Sequence, residues 1–291
     1  MEESRHEAKA RKEGSRYGSS GRLAVMAVAL ALVMPGCVAT DRAPDLSMRP
    51  RLVWLNAFAV ANPDFRVIHE RQVKGEGESS EAVQMLVEPR WPSPSFSEQY
   101  ARYQLEITRT SSGKFDTPRL YPWRMTEILR RFWREGSETD SEDAASLLKG
   151  LDGAAVRVSA VVELVQPMSE ADVKKIWPYQ IDVALLSPAG PGNPLSWDQS
   201  GYCSSRGFDT CKSDVKDSLM SEFQHWVSFL EADDEVALGA FGLSLGELQR
   251  RSQEGRYYGF ILNAYPSRIR SIVGDEKIRS IQVADVSMAG L

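Results

Sequence analysis

Histidine and cysteine are scarce in this chain: three of each in 291 residues. His69 and His225 are far apart in sequence, and the cysteines form no C-x-x-C pair, so we expect no metal site. The sequence has no G-x-S-x-G, and "GLSLGEL" has two glycines but no phosphate-loop lysine. We therefore expect no catalytic residue, no cofactor and no enzymatic activity. Beyond residue 22 there is no dense basic stripe, and the chain carries a net charge of −5. The electrostatic footprint needed to neutralise phosphates is missing, which argues against nucleic acid as a partner.

Long apolar runs are almost as rare. The longest sits at the amino terminus, "LAVMAVALALVMPGC" from Leu23 to Cys37, behind a segment rich in Arg and Lys. Its core, Leu23 to Met34, is short for a bilayer span and suits the apolar region of a signal peptide. Extending it to Thr40 gives a marginal membrane helix, with Pro35-Gly36 breaking its last turn. The end "VMPGC" resembles the lipobox of bacterial lipoproteins, although Met34 and Pro35 depart from the commonest pattern. The resemblance implies cleavage before Cys37 and lipidation of that thiol, and two or more acyl chains give stable anchoring. Under either reading the preceding basic residues stay in the cytoplasm. The expected localisation is therefore the cell membrane, with the bulk of the chain extracytoplasmic. Membrane lipid is the first expected partner, through Cys37 or through an apolar helix Leu23–Thr40.

Cys203 and Cys211 lie close together in "GYCSSRGFDTC", where Gly, Ser and Asp suggest a loop. A disulfide there would restrict the unfolded chain by about 2–3 kcal/mol. Two free thiols and a two-cysteine metal site are the alternatives. The extracytoplasmic compartment favours the disulfide.

The body divides on sequence into a tether at 38–50, a membrane-proximal region at 51–150 and a second domain at 151–291. "RLVWLNAFAV" has the look of a buried strand ended by Asn62-Pro63-Asp64. "FRVIHERQV", "EAVQMLVEP" and "YQLEIT" read as further strands. In "YPWRMTEILRRFWREG", Met125, Ile128, Leu129 and Phe132 share one helical face, and Gly136 suits a C-cap. "SETDSEDAA" reads as a helix start or linker before a boundary near Gly150. "AAVRVSAVVELVQP" reads as a strand, Ser169 caps a short helix, and "YQIDVALLSP" is a strand. A long Gly/Pro/Ser loop then leads to a helix capped by Ser213, with Val215, Leu219, Phe223, Trp226, Val227 and Leu230 on its apolar face. His225 reads as a surface or packed residue, and Asp233-Asp234 as a solvated helix end. "EPRWPSPSF" and "RLYPWRM" either line a ligand groove or cover the core. "RYYGFILNAYPSRIRSIVGDEKIRSIQVADV" reads as strand, turn, helix and strand, with Pro266 opening the helix. The expected fold class is α+β, with mixed sheets, packed helices and a C-terminal βαβ-like unit.

From Ala154 to Val286 this order resembles the C-terminal extracytoplasmic domain of bacterial anti-sigma factors, the sigma-factor regulator family. Tyr258-Gly259, Pro266, Ile278 and Arg279 carry the resemblance most clearly. It implies an extracytoplasmic sensor or regulator whose partner is an envelope protein or a sigma-regulatory protein. The family also carries a cytosolic segment that holds a sigma factor. Here about 22 residues precede the apolar stretch, nearly without apolar side chains. The resemblance therefore implies a sensor-like outer domain. A lipoprotein that binds a solute or an envelope protein without signalling is the alternative.

Overall fold

The computed structural model describes residues 49–68, 82–90, 103–117, 120–134, 136, 141–151, 155–190, 192–198 and 218–288. Cys37, Cys203 and Cys211 lie outside the described residues, as do His69, Ser213 and Val215.

The first element corrects an expectation. Arg49–Ala61 is a helix, α1, where the apolar run read as a strand. Val53, Trp54, Leu55, Ala57, Phe58 and Val60 are all buried, so the helix is surrounded by protein on nearly every side. A helix enclosed in this way has no polar face, and its sequence shows neither a 3.6 nor a 2.0 period. Length alone separates it from a buried strand. Its first turn is fixed where Arg49 donates to Asp234 (2.8 Å) and to the Phe229 carbonyl (3.2 Å). Asp234 is thus an ion-pair partner and only 13% exposed at its side chain, a correction to the solvated reading.

The turn at Asn62–Asp64 leads into an antiparallel meander of β1 (Phe65–Ile68), β2 (Ala82–Pro89), β3 (Tyr103–Arg109) and β4 (Phe115–Asp116). Val83, Met85 and Val87 alternate inward on β2, and α1 packs against β1 and β2. The alternation places one face of this sheet on the core.

After α2 (Arg124–Arg131) and α3 (Ser141–Gly150) comes the longest strand, β5 (Val156–Met168). There follow α4 (Glu170–Ile176), β6 (Val183–Leu185), β7 (Ser196–Asp198), α5 (Leu219–Ser228) and a 3₁₀ turn at Ala232–Asp234. The chain ends with α6 (Glu235–Ala240), α7 (Leu245–Glu254), β8 (Tyr257–Ala264), α8 (Pro266–Arg270) and β9 (Ile278–Met288). The second sheet has the order β7-β6-β8-β5-β9. Every pairing among the described residues is antiparallel. The fold is α+β. β8 and β9 both pair with β5, so they run parallel to each other with α8 between them in sequence. The C-terminal strand–helix–strand unit is present, with β5 inserted between its strands.

β5 is buried on both faces from Val158 to Leu164. Val158, Ala160, Val162 and Leu164 join the large core shared with α1, and Val161 faces a smaller cluster with Met125, Leu129 and Phe132 beneath α2. Burying each of those three side chains is worth about 1.5–3 kcal/mol, an upper bound against an extended chain. Residues before and after Gly150 share the large core, and Gly150 itself closes α3.

Local signals explain most of the other boundaries. Ser169 accepts from the Asp172 amide and caps α4 as expected. The cap of α5 is Ser218, accepting from the Ser221 amide. Pro266 occupies the first turn of α8. α2 ends at Arg131, before the Gly136 expected to cap it, because Trp133 turns into the left-handed region at φ 63°. That conformation is rare for a bulky residue and is held by what Trp133 touches.

Candidate functional site

The α2 terminus is seated on the second sheet by residues from three strands, β5, β8 and β9. Gly259 on β8 makes room for it: a Cβ there would lie 2.2 Å from the Val162 carbonyl and 2.8 Å from the Phe132 ring. Trp133 donates from Nε1 to the Tyr258 carbonyl (2.9 Å) and packs edge-on against the Tyr258 ring at 4.9 Å. Arg279 on β9 donates to the Arg134 carbonyl (3.2 Å), and its guanidinium lies 5.9 Å from the Trp133 ring centre. Arg279 also approaches the fully buried Glu163 carboxylate at 3.9 Å. Gln282 donates to Glu163 from the same strand. Tyr258, Gly259 and Arg279, singled out by the sequence resemblance, therefore meet around one helix end. Ile278 and Pro266 begin β9 and α8.

Beside this seat runs a groove of about 830 Å³. Its walls come from the end of α1 (Phe58, Ala61, Asn62), from Arg130 on α2, from the β6–β7 loop, and from α6 and α7 with the turn between them. Arg134 donates to the Gly190 carbonyl (2.6 Å) and Ala189 donates to the Phe132 carbonyl (3.1 Å), so the loop is pinned to the α2 terminus. A concavity of this size is in the range of small-molecule sites.

Arg251 on α7 is the buried cation of that wall, with its side chain 9% exposed. Nε donates to Glu247 (2.7 Å), and Nη1 donates to Glu254 (3.0 Å) and to the Tyr258 hydroxyl. The guanidinium also lies 4.9 Å over the Tyr258 ring. Burial acts to raise the Glu247 pKa, but hydrogen bonds from Arg250 and Arg251 prevail and hold it below the ordinary glutamate value. Glu247 therefore stays ionised against its two arginines. Ser244 caps α7, accepting from the Glu247 amide, and Gly255 closes it at φ 58°. The sequence reading passed over this helix, although the Ser244-x-x-Glu247 spacing and Gly255 were signals for it.

Two further polar clusters fasten the fold, and the first of them joins the two sheets. Arg90, at the end of β2, and Asp198, on β7, form a buried ion pair with side chains 6% and 5% exposed. Arg90 also donates to the Pro63 and Phe65 carbonyls. Asp64 beside it accepts from Thr126 at the start of α2, and burial pushes its carboxyl above the usual range against that hydrogen bond and the Arg90 charge. On the far side, Glu170 accepts from Ser218 (2.7 Å), Tyr257 (2.8 Å) and the Met220 amide (3.2 Å). Burial raises the Glu170 pKa, yet these bonds and Lys174 outweigh it and the net direction is down. Tyr257 is pushed strongly upward by burial and by the Glu170 charge. Both clusters read as fasteners of the fold.

The other residues weighed in the sequence fall elsewhere. Trp226 is core, stacked on Trp197 at 5.5 Å, and His225 is half-buried with its ring edge-on to Phe229 at 4.7 Å. Ser196-Trp197-Asp198 is a short strand within the stretch read as loop, masked in sequence by the glycines and prolines before it. "RLYPWRM" and the described part of "EPRWPSPSF" contribute nothing to the groove wall. Among the described residues no helix is long and apolar enough to cross a membrane, and no group of His, Cys, Asp and Glu could hold a metal ion. No protein-family model, curated protein or solved structure matches the chain.

Proposed function

We propose that this chain is an extracytoplasmic sensor-like binding module, tethered to the membrane by its amino-terminal segment. The observation that carries the reading is the groove: Arg130 of α2 and the buried Arg251 of α7 share one wall system beside the seat of the α2 terminus. A ligand in the groove touches α2 directly. Its occupancy shifts α2 only so far as the ligand binds the seated and unseated arrangements differently. The seat is then the element whose state a membrane partner reads. The Leu23–Cys37 segment supports the tether, and the Tyr258-Gly259 and Arg279 pattern supports the sensor-like class.

Intact-mass analysis of the membrane fraction, combined with protease accessibility from outside the cell, tests this reading. We expect a species lacking residues 1–36 and carrying added lipid mass at Cys37, lost in Cys37→Ser, with the body cleavable from outside. A body protected on the cytoplasmic side overturns the reading. An uncut amino terminus that co-purifies with a sigma factor replaces it with a full anti-sigma regulator.

A further inference from the structure

We infer that the groove takes a small monocarboxylate with an apolar body, hydrogen-bonded through Nη2 of Arg251. The inference rests on the reading of the groove as a binding site and adds the ligand class. Of the Arg251 donors, Nε and Nη1 are engaged by Glu247, Glu254 and Tyr258. Nη2 makes no hydrogen bond to the described residues, yet it is not among the sealed, unsatisfied polar atoms of the interior. On a side chain more than nine-tenths buried that lines the groove, the remaining donor is therefore left for an acceptor entering the groove. Two glutamates and the Tyr258 ring hold the guanidinium in place, so little ordering is needed on binding.

Glu247 and Glu254 balance Arg251 and Arg250, and Glu127 pairs with Arg130, so the wall carries no net charge from these groups. Arg130 gives Nη1 to Glu127 (3.0 Å), and its other nitrogens make no hydrogen bond to the described residues. The unengaged donors belong to arginines, and a charge-assisted hydrogen bond favours a carboxylate over its neutral amide. A phosphate dianion would need more donors and would bring a second negative charge to a wall that holds Glu247 and no net positive charge. Phe58, Leu195, Phe241 and Leu243 supply the apolar surface for the rest of the molecule.

The test is calorimetric titration of the full chain in lipid nanodiscs with phenylacetate, hexanoate and benzoate, each paired with its neutral amide. We expect at least one acid to bind ten-fold or more tightly than its amide, and Arg251→Gln to remove that preference. Arg130→Gln should weaken the acid several-fold. Since Arg251→Gln takes a buried partner from Glu247 and Glu254, Ala240→Phe, which fills the groove and keeps Arg251, provides the second arm and should abolish binding of the acid. Equal affinities for acids and amides, absence of binding, or full affinity in Ala240→Phe overturns the inference. The outcome is independent of the Cys37 mass result, so failure of the ligand class and failure of the tethered-module reading are distinguished.

Discussion

The two sheets solve the problem of burial differently. The β1–β4 meander keeps one face on the core, as the alternating burial of β2 shows. The β7-β6-β8-β5-β9 sheet is covered on both faces, by the large core on one side and by α2 on the other. Polar side chains sit under that second cover: Glu163, Ser159 and Ser280 are all nearly inaccessible. A one-faced sheet needs only alternation, whereas a two-faced sheet needs an added layer to cover its second face. The groove lies at the margin of that added layer.

The largest effect that would break this comparison is removal of the α2 anchor. Phe132→Ala should destabilise the protein by about 3–5 kcal/mol in urea unfolding. Hydrogen exchange should show lost protection beneath α2 before any loss in β2 or β3. Simultaneous loss in both sheets would mean that the two regions do not differ in this way. Arg90→Met removes the buried cation that faces Asp198, and should cost about 3–5 kcal/mol. The double variant Arg90→Met/Asp198→Leu should recover much of that loss, marking the pair as a fastener between the sheets. Gly259→Ala should cost about 1–3 kcal/mol or more, because its Cβ would meet backbone as well as the Phe132 ring. In the meander, Ile107→Val should cost only about 0.5–1.5 kcal/mol.

The pH dependence sharpens the comparison at the junction. Burial raises the folded-state pKa of Asp64 above its ordinary 3.8. Its contribution to stability is therefore fully present below 3.8 and lost as pH rises through the raised folded value. The stability of the wild type relative to Asp64→Asn should increase as pH falls through that window, measured as the urea midpoint. A pH-independent difference would remove Asp64 from the account. Glu170, with its pKa lowered, acts in the opposite sense and contributes stability that is lost only as pH falls through its folded value.

Legibility in the sequence followed the same division. "EAVQMLVEP" announced β2, whose Val83, Met85 and Val87 alternate inward, and Met125, Leu129 and Phe132 announced the buried face of α2. α1 escaped because a helix enclosed by protein has no polar face to set a period. α7 escaped because its buried face is largely made by Leu248 and Arg251, and an arginine there reads as solvent-facing. The groove was illegible for a related reason. Its walls join Phe58, Arg130, Leu195 and Arg251 across nearly two hundred residues, and no local pattern encodes that meeting. Tyr258-Gly259 and Arg279 were legible as a pattern, while their common task of seating α2 required the packing of Phe132 and Trp133.

Hydrogen exchange of the full chain in nanodiscs, with and without the tightest-binding carboxylate, tests the central claim most directly. The account predicts a protection change confined to α2, the β6–β7 loop and α7, with the β2 and β3 amides unchanged. A change centred on the meander, or none anywhere at a saturating concentration of that ligand, would contradict it.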